Sequence, residues 1–309
     1  MKYILSIDGG GIRGIIPALL LEKLEQTTGR PARETFSFVA GTSTGALIAS
    51  AVAAGLPASR IVAIYRERLH DIFRPSKPWS DLRRAALGYK YDPAGIRDVL
   101  KDEFGAAAGW RVNDSPIDIL LTAKGLADGK PWYFVRDNPA NSSLTGGLGL
   151  IDCATASAAA PTYFAPWPLP APISGKVVDG GVGVTGNPVY QACVEAFCYS
   201  QGYTVAETTV VSLGTGRFVK QSDPHLVTQW LGWVIDTLLH APGEQQTELV
   251  SRHYSDARLF RFDPALSAET GMDDLDAIRA LEDTGLAFRE QIDWTPVLHS
   301  SPGSLDRAA

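Results

Sequence analysis

The chain opens with a short apolar run from Lys2 to Ile7. Asp8-Gly9-Gly10-Gly11-Ile12-Arg13-Gly14 follows at once, and then apolar positions at Ile15, Ile16, Leu19, Leu20 and Leu24. A short unbroken run followed by three-and-four spacing predicts a strand, a glycine turn and a helix, and Gly29 and Pro31 stop that helix. The same order then returns. Phe36 to Ala40 predicts a second strand, Gly41 to Gly45 a second tight turn, and Ala46 to Ala54 a helix of small residues closed by Gly55 and Pro57. Two such units in succession predict parallel strands joined by crossover helices.

Later strands are predicted at Ile117 to Lys124, Trp132 to Arg136, Lys176 to Val178, Thr209 to Leu213 and Arg258 to Phe262, with helical patterns between most of them. Asp92-Pro93 has the character of an N-cap and first position of a helix running to about Glu103. Phe73 to Tyr91, rich in Pro, Trp and basic residues, and Asp137 to Leu150, rich in Gly, Ser and Asn, predict surface loops or lids. The expected fold class is α/β: a three-layer α/β/α domain around a mostly parallel central sheet, covering 1–291, with 292–309 as a C-terminal tail.

Composition narrows the function. At 309 residues and 45% hydrophobic, the chain has ample material for one large core. Its 28 basic and 34 acidic residues give a net charge of −6, without a basic block of the kind that tracks phosphates along nucleic acid. Nucleic acid is not an expected partner. The three cysteines, Cys153, Cys193 and Cys198, lack the paired spacing of a zinc site or a disulfide framework. The first apolar run is too short for a signal peptide, and no run reaches the roughly 20 apolar residues of a spanning helix. The expectation is a cytoplasmic chain that meets membranes, where it does, from their surface.

The chemistry gathers at the glycine turns. Gly41-Thr42-Ser43-Thr44-Gly45 fits G-x-S-x-G between a strand and a helix, a turn so sharp that it lifts a serine hydroxyl above the sheet. Ser43 is the candidate nucleophile; as an alternative, Ser43 or Thr42 caps the helix. Gly9, Gly11 and Gly14 also fit the dinucleotide pattern G-x-G-x-x-G. That pattern requires an acidic residue at the end of the second strand, and here that strand ends Val39-Ala40-Gly41. The loop suits an oxyanion hole better, with bare N–H groups at Gly9, Gly10 and Gly11; Arg13 orients the loop, faces a phosphate headgroup, or is a surface arginine. None of the five histidines, His70, His225, His240, His253 and His299, stands at a strand-end turn. Asp179 does, in Val177-Val178-Asp179-Gly180-Gly181, and as a lone base it needs a pKa raised by burial.

Together, Asp8 to Gly14, Gly41 to Gly45 and Asp179 to Gly181 resemble the three blocks of the patatin-like phospholipases. Ala154 to Phe164, Gly186-Asn187-Pro188, Ser212 to Gly216 and a helix from Met272 to Gly285 are similar to the bacterial branch. The resemblance implies a lipid acyl hydrolase with a Ser43–Asp179 dyad. It also implies an oxyanion hole at Gly9 to Arg13, motif glycines at Gly14, Gly41, Gly45, Gly180 and Gly181, and no metal or cofactor. The implied substrate is a phospholipid or other acylated lipid at a membrane surface.

Two segments suggest membrane or acyl contact: Leu226 to His240, with Trp230 and Trp233, and Trp79 to Lys90, mixing Trp79, Leu82 and Leu87 with Arg83 and Arg84. For the first, burial against the sheet is the plainer reading. Three alternatives stay open: an esterase with a Ser-Asp-His triad using His225, His240 or His253, a storage or scaffold protein, and an effector activated by a cyclic dinucleotide. A homodimer is open as well.

Overall fold

In the computed structural model, which describes residues 1–75, 88–142, 144–183, 185–218, 225, 230 and 242–298, both opening strand–turn–helix units form. β1 (Lys2–Ile7) leads through a 3-10 turn at Gly11–Gly14 into helix Ile15–Thr28, and β2 (Phe38–Gly41) into helix Thr44–Ala54. β2 starts two residues later than expected. The short helix Ala32–Thr35 still holds Phe36, whose N–H donates to the Ala32 carbonyl at 2.9 Å.

Eight strands make the main sheet, and its order explains the site. The path runs β10 (Arg258–Phe262), β9 (Thr208–Leu213), β1, β2, β4 (Asp118–Gly125), β8 (Gly175–Asp179) and β7 (Trp167–Leu169), with β5 (Pro131–Val135) also on β4. β10, β9, β1, β2 and β4 are parallel, while β5, β8 and β7 are antiparallel additions. All residues of β2 and β9 are buried, as befits parallel strands covered on both faces. Pro131 and Pro168 sit in outer strands, where a missing N–H is tolerated. Three three-residue strands escaped the sequence pattern: β7, and the separate pair β3 (Tyr89–Tyr91) and β6 (Thr162–Phe164). A strand that short carries no period to detect.

Side chains alternate between two cores. Leu5, Ile7, Val39, Leu121 and Leu213 face helices that include Ile15–Thr28, Thr44–Ala54, Ala58–Glu67, Ala94–Phe104 and Leu150–Ser157. Ile4, Phe38, Ala40, Leu120 and Val210 face Val189–Val194 and Pro242–His253. The result is the expected three layers. The Asp92 carboxylate accepts the Ala94 N–H at 2.9 Å, starting helix Ala94–Phe104 as its sequence predicts.

Two expectations are corrected. No helix runs from Met272: a 3-10 turn at Leu275–Ala277 leads into helix Ile278–Arg289. The Met272 carbonyl accepts the Ile12 N–H at 3.0 Å and the Asp273 carboxylate holds Lys90 and Tyr91, so this stretch serves tertiary bonds instead. The packed body also passes the expected limit at 291, because Trp294 and Val297 are buried in the larger core. Leu226 to His240 apart from an exposed Trp230, and Trp79 to Leu87, lie outside the described residues.

Candidate active site

The Ser43 turn is set by backbone crowding. A Cβ on Gly41 would stand 2.1 Å from the Gly45 carbonyl oxygen, and one on Gly45 would stand 2.2 Å from that of Ile7. Only glycine fits either place. Ser43 itself takes φ 56° and ψ −125°, a conformation non-glycine residues avoid and one that costs on the order of 1–3 kcal/mol. It is held by the Ser43 N–H donating to Ser157 Oγ at 3.0 Å and the Gly45 N–H donating to the Thr42 carbonyl at 2.8 Å. No side chain caps helix Thr44–Ala54, and the Thr42 hydroxyl is paired with that of Thr122. The capping alternative is therefore removed.

Asp179 reaches Ser43 through strand register. Leu120 and Leu121 pair with β2 on one edge of β4 and with β5 on the other, while Ala123 and Lys124 pair with β5 and β8. β2 and β8 must therefore share an edge and meet end to end, one finishing at Gly41 and the other at Asp179. The Asp179 carboxyl, 1% exposed, accepts the Gly181 N–H at 2.7 Å and has the Ser43 hydroxyl beside it. Burial pushes its pKa up to about 6, against the lowering effect of the Ser43 hydroxyl and the Gly181 N–H. Gly180 lets the strand end approach β4, since a Cβ there would lie 2.0 Å from Thr122 Oγ1.

The glycine loop lies against Ser43, with the Gly9 Cβ position 3.1 Å from Ser43 Cβ. Its N–H groups divide in two. The Gly9 N–H donates to the Gly186 carbonyl at 2.9 Å, and the Arg13 N–H to the Gly10 carbonyl at 3.2 Å. Those of Gly10 and Gly11 have no acceptor among the described residues. Of the four residues expected to form an oxyanion hole, Gly10 and Gly11 are thus the ones whose N–H groups stay open among the described residues. Buried Arg13 braces the loop from beneath, its Nε donating to the Gly10 carbonyl at 3.2 Å. Gly11 has φ +61°, the left-handed region suited to glycine, and Gly14 leaves room for the Tyr65 hydroxyl, 2.2 Å from its would-be Cβ.

Partners from far along the chain fix this loop. The Thr215 hydroxyl donates to the Gly9 carbonyl at 2.8 Å. Arg261 grips both Asp8 oxygens, at 2.8 and 2.6 Å, and also donates to Asp263 and Ser212. Ser157, Gly186, Thr215, Arg261 and Met272 had no separate signal in the sequence, although some lie in stretches already noted for their resemblance.

From Ser43 an apolar pocket of about 760 Å³, including its open mouth, runs between helices Thr44–Ala54, Ala58–Glu67 and Ala94–Phe104. Its hydroxyls are Ser43, Thr44, Tyr65 and Tyr163; Gly11 and Met272 border the same space. Among the described residues no histidine lines the pocket. His70 and His225 are exposed and His253 bonds the Tyr190 hydroxyl at 2.8 Å. Among the described residues none bonds Asp179, and His240 and His299 lie outside those residues.

The model of the patatin-like phospholipase family matches residues 5–192. A cGAMP-activated phospholipase of Pseudomonas aeruginosa is 33% identical over 184 residues, which is 58% of this chain and 52% of that protein. Patatin-17 of Solanum cardiophyllum is 31% identical over 245 residues, 70% of this chain and 61% of that protein. The solved structure of VipD from Legionella pneumophila aligns with a TM-score of 0.43 at 11% identity, covering 94% of this chain and 67% of that one. The chain spans about half the length of the first of these relatives.

Proposed function

Because this chain belongs to the patatin-like phospholipase family, we propose that it hydrolyses lipid acyl esters, with Ser43 as nucleophile and Asp179 as base. The observation that carries the reading is a serine hydroxyl beside a buried carboxylate and opening into an apolar pocket. A serine is a weak nucleophile until a base takes its proton. Asp179, with a pKa of about 6, is ionised at neutral pH and basic enough to take it.

In the first step Ser43 Oγ bonds to the ester carbonyl carbon and its proton passes to Asp179. The carbonyl oxygen gains the negative charge, facing the Gly10 and Gly11 N–H groups, where one well-placed donor is worth about 10²- to 10³-fold in rate. The proton then goes to the leaving alcohol as the old ester bond breaks. A water molecule repeats the cycle on the acyl-serine, giving its proton to Asp179 and releasing the fatty acid. The apolar pocket takes the acyl chain and the headgroup stays towards the mouth, consistent with a substrate drawn from a membrane surface. Among the described residues no helix is long and apolar enough to cross a membrane, and the proposed place of action is the cytoplasmic face, met peripherally.

A second reading, activation by a cyclic dinucleotide, is favoured by two relatives named cGAMP-activated phospholipase, 33% and 32% identical. One experiment addresses both readings: an alkyl fluorophosphonate, followed by peptide mass analysis, with fatty acid release from phospholipid vesicles measured with and without cGAMP. Label on Ser43 and release of fatty acid support the hydrolase. Label elsewhere, or none under either condition, rejects it, and equal release under both conditions rejects activation by cGAMP.

A further inference from the structure

One wall of the pocket has a length that can be counted. Helix Thr44–Ala54 lends it Thr44, Leu47, Ile48 and Ala51, positions three and four apart that form one stripe along the axis. Ala51 is the last residue of this helix to border the pocket. It stands eight residues beyond Ser43, about 12 Å at a rise of ~1.5 Å per residue. The helical wall beyond Ser43 offers a headgroup nothing: the Thr44 and Tyr65 hydroxyls bond each other, and Leu47, Ile48, Ile61, Ile96, Val99 and Leu100 are hydrocarbon. What enters in this direction is an alkyl chain.

We infer that Ala51 sets the length of acyl chain the pocket holds, about ten carbons counted from the ester carbonyl. An extended chain of ~1.5 Å single bonds advances about 1.25 Å per carbon, so ten carbons match the distance from Ser43 to Ala51. The inference rests on the reading of Ser43 as nucleophile, because the acylated oxygen is the origin of the measure. The methyl of Ala51 is the smallest side chain of its stripe and is itself 2% exposed. A larger side chain there narrows the pocket that Ala51 borders.

The test uses the full chain and p-nitrophenyl esters from butyrate to palmitate. In the wild type kcat/KM climbs to the decanoate and then levels. In Ala51→Phe the decanoate-to-butyrate ratio falls about 10²-fold, the worth of roughly four methylenes no longer buried. Ala51→Val, with less overpacking, moves the ratio the same way by less, and thermal melts show whether each variant folds. An unchanged ratio in folded variants that still hydrolyse butyrate overturns the inference and leaves the hydrolase standing. If the wild type hydrolyses no ester, the hydrolase reading fails, and the length limit, measured from the acylated oxygen, falls with it.

Discussion

Asp8 directly follows β1 and Asp179 ends β8, both are buried, and burial pushes both carboxyls up to about 6. They differ in what opposes that burial. Asp8 is gripped on both oxygens by the Arg261 guanidinium, whereas Asp179 faces neutral groups, the Ser43 hydroxyl and the Gly181 N–H. The contrast lies in position rather than in proton affinity: both Asp8 oxygens are committed to a fixed partner, while Asp179 stands beside a hydroxyl. One end of the sheet therefore holds an anchor for the glycine loop and the carboxylate proposed as the base for Ser43, built from the same residue type.

The comparison breaks most visibly in rate. Asp179→Asn removes the acceptor and is expected to lower kcat by about 10³- to 10⁴-fold with the fold intact, as steady-state rates beside circular dichroism would show. Asp8→Asn should lose about 3 kcal/mol of stability in urea unfolding, since it leaves Arg261 with only Asp263 as a counter-charge. Any loss of activity there should follow the loss of fold.

A smaller effect separates the two in sign. The folded pKa of Asp179, about 6, lies above the unfolded value of about 3.9. Stability from this group is therefore complete below about pH 4 and is lost as pH rises through 6. Asp179→Asn, neutral throughout, should be more stable than wild type by about 1–3 kcal/mol at pH 8, and the gap should close by about pH 4 in urea titrations. Smallest is Ser157→Ala, which leaves the Ser43 N–H unbonded in a strained turn. A loss of about 1–2 kcal/mol is expected, read as a lower kcat/KM rather than a shifted pH profile.

What the sequence disclosed was local, and what it hid was not. The Ser43 turn is legible because the strand, the glycines and the helix are contiguous, and Asp179 because its strand ends in two glycines. That the two meet depends on β8 running antiparallel on the edge of β4 that β2 also uses, a pairing without a periodic signature. The oxyanion loop was visible as Gly9 to Arg13, but which N–H groups remain open depends on Gly186 and Gly10 as acceptors. Arg261 lies 253 residues from Asp8, and nothing in its neighbours marks it as that partner. The pocket was equally hidden, since its walls come from residues far apart in the sequence, from Gly11 to Met272.

The most direct test of the dyad is the rate of fatty acid release from phospholipid vesicles between about pH 5 and 9, for wild type, Ser43→Ala and Asp179→Asn. The wild-type rate should rise through about pH 6 to a plateau as Asp179 ionises, with no release above background by either variant. Release by Asp179→Asn at the wild-type rate would contradict the account, because the proton of Ser43 would then have another acceptor.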